Sequence, residues 1–120
     1  MTRGARKEGL SRRHRFAGRG AFVSALRSPR KLRGASSILH VLAGRPGQSR
    51  FGLALPKRIA RRAVDRNRMK RLAREAFRRH AVKAAGLDLV IAGRQPFSRN
   101  EESRWVAEVR GLLDRVAGER

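Results

Sequence analysis

The side chains best equipped for chemistry in this chain are cations, and they crowd into one stretch. "DRNRMKRLAREAFRRH", Asp65 to His80, holds seven Arg or Lys among sixteen residues. Guanidinium groups grip phosphate oxygens in pairs and stack on unpaired bases, so a row of them is chemistry for a nucleic acid. Within an isolated helix the same row is unfavourable, because like charges at i and i+4 cost a few tenths of a kcal/mol per pair. A polyanionic partner removes that cost. The whole chain repeats the pattern, with 31 Arg plus Lys against 9 Asp plus Glu, a formal charge of +22 and a pI near 12.0. Nucleic acid is the expected partner, through neutralised phosphates and released counterions. A membrane partner is not expected, since neither a broad apolar helical face nor a lipidation signal is evident.

Other chemistries fit less well. Hydrolysis by the protein itself needs paired carboxylates, a His and carboxylate cluster or an activated nucleophile. The acids are Glu8, Asp65, Glu75, Asp88, Glu101, Glu102, Glu108, Asp114 and Glu119, and helix termini or ion pairs to Arg account for most of them. Asp65 suits the start of a helix, and Glu75 has Arg71 and Arg79 at i−4 and i+4. His14, His40 and His80 lack metal-ligand spacing. His40 interrupts an apolar strand, where an imidazole is either a satisfied core group or a ring that stacks on a base. There is no Cys, which excludes disulfides and thiol catalysis. "GRGAF" lacks the Lys-Ser/Thr ending of a phosphate loop. Strand-like segments precede the basic helix where a DNA-reading helix-turn-helix needs a helix, so DNA is not the expected partner. No run approaches the roughly 18 apolar residues of a membrane span, and a cytoplasmic location is expected.

The elements that must position these cations can be read from apolar spacing. A chain of 120 residues suits one domain. Residues 1 to 15 are expected to form a flexible basic arm, and 16 to 120 the folded domain. "GRGAFVSALRS" puts Phe22 and Leu26 on one face of a short helix that Ser28-Pro29 ends. "ASSILHVLAG" alternates, with Ile38, His40 and Leu42 on one face and Ser37, Leu39 and Val41 on the other. After the turn "GRPGQS", "RFGLALP" puts Phe51, Leu53 and Leu55 on one face, while Gly52 and Ala54 keep the other flat. These two strands are expected to pair antiparallel. In the basic helix, Met69, Leu72, Ala73, Ala76 and Phe77 form the packing stripe. Asn67, Lys70, Arg71, Arg74 and Arg78 lie along one flank, and Arg68 and Arg79 on the other. "LDLVIAG" reads as a strand and "EESRWVAEVRGLLDRVAG" as an amphipathic helix. The sum is an α+β domain.

"LALPKRIARRAVDRNRMKRLAREAFR" also resembles the signature of the bacterial ribonuclease P protein family: basic residues after a strand, an Ala-Val pair, then Arg-Asn-Arg, Lys-Arg, Arg-Glu and Phe-Arg. The resemblance runs from about Leu10 through the last helix. It implies a single-domain αβββαβα sandwich with a left-handed βαβ crossover, against the usual handedness, and an extra short strand near "RKLRG". The activity it implies is removal of the 5′ leader from precursor tRNA by a catalytic RNA, with Mg2+ bound chiefly by that RNA and no organic cofactor. The protein is then a cofactor of the RNA with no catalytic side chain of its own.

Carried over position by position, the resemblance implies a leader cleft lined by Phe22, Leu26, His40, Lys57, Arg58, Arg66, Asn67, Lys70, Arg71 and Arg74. The surface toward the catalytic RNA comprises Arg62, Arg66, Asn67 and Arg68. The family often has aromatic rings where this chain has Leu26 and His40. Composition alone also fits a structural RNA-binding protein of the ribosome, which is the alternative reading.

Overall fold

The computed structural model describes residues 14–16 and 19–118. In chain order it contains α1 (Arg19–Leu26), β1 (Lys31–Arg33), β2 (Ser37–Ala43), β3 (Arg50–Ala54), α2 (Ala63–Arg78), β4 (Leu87–Gly93) and α3 (Glu102–Gly118). Short 3-10 turns at Ala81–Ala84 and Arg99–Glu101 precede β4 and α3. This is the α+β architecture expected, including the short strand in "RKLRG".

The sheet order is β1-β2-β4-β3, with β1/β2 and β2/β4 antiparallel and β3/β4 parallel. The antiparallel β2/β3 hairpin expected from the turn sequence is therefore corrected. The turn does form, with a bridge between Arg45 and Gln48, but β4 enters between the two strands. Local turn chemistry decides where the chain reverses and not which strand becomes its neighbour. β4 is buried along almost its whole length, as a central strand covered on both faces should be. Gly86 admits the chain to it: its φ is +78, and a Cβ there would lie 2.9 Å from the Arg45 carbonyl oxygen. The Gly86 carbonyl accepts the Gly44 N–H at 2.8 Å.

Strand alternation separates two faces. Leu32, Leu39, Val41, Phe51, Leu53, Leu89 and Ile91 point into the core under α2 and α3. Those helices contribute the stripes read from the sequence: Met69, Ala73, Ala76 and Phe77 are buried from α2, and Trp105, Val109, Leu112, Leu113 and Val116 from α3. Phe77 stacks on Phe51 with ring centroids 4.8 Å apart and joins helix to sheet. Burying a side chain of this size contributes roughly 1.5–3 kcal/mol. The opposite face carries α1 across β2 and β4.

Polar contacts set α2 against its surroundings. Arg68 pairs with Glu102 of α3, and Arg99 with Asp65 in the first turn of α2. Glu75 is held by Arg78 and Arg79, so the expected Arg71 partner is replaced by one three residues on. His80 lies just past the helix rather than in it. Its backbone is extended, its Nδ1 accepts the Val82 N–H at 2.9 Å, and its Nε2 meets Asp114 at 2.7 Å.

Candidate nucleic-acid interface

The cations of α2 fall into rows with different neighbours. On the α3 side Arg68 makes a two-point contact with Glu102, and Arg79 bonds Glu75 at 2.6 Å. On the β3 side Arg66, Lys70 and Arg74 follow at i, i+4 and i+8, one above another. Arg66 donates to the Ala60 and Arg61 carbonyls at 2.8 and 3.0 Å, which ties the first turn of α2 to the loop after β3. Among the described residues, Lys70, Arg71 and Arg74 have no carboxylate or carbonyl partner. Asn67 and Arg71 lie between the rows and are exposed.

Arg74 is half-buried. Desolvation, and then the neighbouring Arg15 cation, pull its guanidinium below the ordinary Arg range. Arg nonetheless stays charged at any ordinary pH. A desolvated cation beside another cation, with no carboxylate on it, is electrostatically a seat for an anion.

Across β3 from this row lies an aromatic patch. Gly52 is its floor: a Cβ there would meet Phe22 at 2.9 Å and Phe16 at 3.1 Å. The two rings pack edge to face, with centroids 5.7 Å apart. The Arg50 guanidinium lies 5.0 Å from the Phe16 ring centroid and grips the buried Asp88 carboxylate at 2.7 and 2.9 Å. His14 bonds the Ser49 carbonyl at 2.8 Å and meets the Phe77 ring edge-on, so residues 14–16 run between β3 and α2. Phe16 and Arg50 have no counterpart in the sequence reading. The flat Gly52 and Ala54 face was its only trace, because what packs on a glycine comes from elsewhere in the chain.

His40 stands beside this patch in the α1-side face, opposite Lys31 and Val90. It is buried, and its Nδ1 has no hydrogen-bond partner. Burial first, and the Lys31 cation second, hold its pKa below the usual imidazole value, which keeps the ring neutral. The ring thus lies in the sheet as a core histidine does, with Nδ1 enclosed and without a hydrogen-bond partner among the described residues. Phe22 and Leu26 are half-buried on α1. Lys57 and Arg58 are exposed in the turn after β3, and Arg62 is exposed directly before α2.

The described acids are committed elsewhere. Besides the pairs above, Glu108 accepts the Ser36 N–H and hydroxyl, and Glu101 lies 3.8 Å from Arg104. Among the described residues no group of three His, Asp or Glu converges as a metal site.

The helix is two-faced: bound to the protein along one side and, among the described residues, lined along the other with cations that meet no acid. A family model described as Ribonuclease P matches residues 10–117. The chain belongs to the ribonuclease P protein family. It is 45% identical over 69 residues to the "Ribonuclease P protein component" of Nitrosomonas europaea, covering 58% of this chain and 58% of that one. The aligned stretch is thus less than two thirds of that relative's length. The protein of the same description from Thioalkalivibrio sulfidiphilus is 41% identical over 86 residues, covering 72% and 68%. In fold, the chain is similar to the ribonuclease P protein of Thermotoga maritima, with a TM-score of 0.64 at 23% identity over 85% of this chain and 93% of that one. The Staphylococcus aureus protein gives 0.65 at 20% identity, covering 88% and 93%.

Within the ribonuclease P framework the residues carried over from the motif separate in space. Arg66, Lys70 and Arg74 share the β3 side of α2. Phe22, Leu26 and His40 belong to the α1-covered face of the sheet. Arg68 belongs to the α3 side and is already paired.

Proposed function

We propose that this chain is the protein component of a ribonucleoprotein ribonuclease P, in which it holds the 5′ leader of precursor tRNA while a catalytic RNA cleaves the leader to leave the mature 5′ end. The observation that carries the reading is the row of Lys70 and Arg74 facing β3, with Arg71 beside it, which meets no acid among the described residues. Phosphates of a single strand would neutralise these cations, and the half-burial of Lys70 and Arg74 strengthens their contacts relative to ones in open solvent. Phe22, Leu26 and His40 would border the bases, and Lys57, Arg58, Arg66 and Asn67 the end of the cleft nearest the start of α2. Arg62, Arg66, Asn67 and Arg68 would face the catalytic RNA. Arg68 reaches it either beside Glu102 or by exchanging that carboxylate for a phosphate.

Magnesium belongs, in this reading, chiefly to the RNA. The described acids are held by Arg, His or Ser groups and do not converge, so they do not fit a protein-borne magnesium site. The protein's part is to select and to screen. Cations on the leader raise affinity for precursor over mature tRNA, and charge spread over the surface lets two RNAs approach at lower magnesium.

The test is reconstitution. The purified protein mixed with a bacterial ribonuclease P RNA at limiting magnesium is expected to stimulate cleavage of a leader-bearing precursor, and to bind that precursor more tightly than mature tRNA. Absence of stimulation overturns the reading.

A further inference from the structure

A second group of cations is not accounted for by that cleft. Between the end of α1 and the start of β2 the sequence reads "RSPRKLRG", and β1 within it is an edge strand that exposes Lys31 and Arg33 while burying Leu32. Arg115 of α3 donates to the Arg33 carbonyl at 3.0 Å, adding its charge to that edge. Arg94, directly after β4, is tied to the start of β2 by its N–H on the Ser36 carbonyl at 2.8 Å. Among the described residues none of Lys31, Arg33, Arg94 and Arg115 pairs with an acid. The nearby carboxylate of Glu108 is occupied by Ser36. Charged edges deter strand pairing between copies, but two exposed cations on β1 already achieve that, and the further pair extends beyond the strand.

The sheet register connects this edge to the cleft. On the α1-side face, the row His40, Val90, Gly52 is buried. The next row, Arg33, Ile38, Ala92 and Ala54 across β1, β2, β4 and β3, is different. Ile38, Ala92 and Ala54 are each half-buried, forming a low apolar floor at the margin of α1. Its β3 end meets the turn of Lys57 and Arg58 that leads to α2, and its other end is Arg33. Three inter-strand steps make this about 14 Å long. It has cations at both ends, and a floor of small and aliphatic side chains on which a base can lie flat.

We infer that this row is a continuation of the leader track, and that Lys31 and Arg33 at the β1 edge bind phosphates of single-stranded RNA lying 5′ of the nucleotides held in the α2 cleft. The inference rests on the leader reading above and adds to it a length dependence. A short leader ends in the cleft, whereas a longer one crosses the sheet and gains the edge cations.

The experiment compares two precursor tRNAs, one with a leader only long enough to fill the cleft and one extended 5′ by unstructured nucleotides. Each is bound by the full protein reconstituted with a bacterial ribonuclease P RNA, across a salt series. For K31A/R33A the expected result is about tenfold weaker binding of the long-leader precursor and a salt slope lower by about 2, with the short-leader precursor unchanged. Circular dichroism of the variant should match the parent, since both side chains are exposed. Equal losses on both precursors overturn the inference and assign the edge to the catalytic RNA or the tRNA body; no loss on either also overturns it. K70A/R74A separates the two levels. If it weakens both precursors while K31A/R33A weakens neither, the leader cleft stands and the extension falls. If it weakens neither, both fall.

Discussion

The two sides of α2 carry similar side chains under opposite conditions. Toward α3, Arg68 and Arg79 end on Glu102 and Glu75; toward β3, Lys70 and Arg74 end on no acid among the described residues, and Arg74 is desolvated besides. Composition cannot tell these rows apart, since each is Arg-rich and amphipathic at the same period. Arg79 finds its acid within α2 itself, and for Arg68 the difference lies in what the fold puts opposite. α3 brings Glu102 in its first turn, where it also suits that helix's dipole, and beside β3 stand the flat Gly52 and the rings of Phe16 and Phe22. A charged surface becomes a binding surface where the protein withholds its own counterions.

The largest expected effect follows from removing the unneutralised row. K70A/R74A should weaken precursor binding by about a hundredfold, near 3 kcal/mol, if each charged contact contributes about 1.5 kcal/mol. The salt slope should drop by about 2. R68A/R79A, measured the same way, should change precursor binding much less; an equal loss would erase the distinction between the sides. Next in size is the floor of the aromatic patch. Gly52→Val drives methyl groups into Phe22 and Phe16 and should destabilise the fold by about 1–3 kcal/mol in urea melts. An unchanged midpoint would mean the rings move aside freely.

A subtler change converts one side toward the other. Glu102→Gln releases Arg68 from its carboxylate and should raise the salt slope of RNA binding by up to about 1, with little change in Tm. A flat slope would mean that Arg68 stays out of reach of RNA. The smallest effect is one of pH. The folded-state pKa of His40 is depressed, chiefly by burial, so the unfolded chain takes up that proton first. Its contribution to stability is present above about pH 6.5 and is lost as pH falls through the lower folded value. His40→Asn should flatten that part of the Tm against pH curve. A variant curve parallel to the parent's would remove His40 from the account.

Periodicity exposed a good part of this. The stripe from Met69 to Phe77, with Leu72 at its margin, and the one from Trp105 to Val116 face the core as their spacing requires, and alternation in β2 and β3 divided their residues between the two faces of the sheet. Neighbour relations were less legible. The reversal at "GRPGQS" suggested a hairpin, yet β4 lies between its strands because parallel pairing with β3 through α2 buries an almost wholly apolar strand. Nothing within ten residues of the turn encodes that. Glu75 had three Arg at helical distance, and only rotamers and packing chose Arg78 and Arg79.

By itself the sequence pointed to a polyanionic partner, because a charge of +22 has no internal counterweight, and determined that α2 is a helix with one apolar stripe between polar sides. The tertiary structure decided which cations are spent on the fold and which remain available. That choice depends on acids 34 residues away in the chain, as with Arg68 and Glu102, and such pairings are made by packing, which a one-dimensional pattern of charges does not contain.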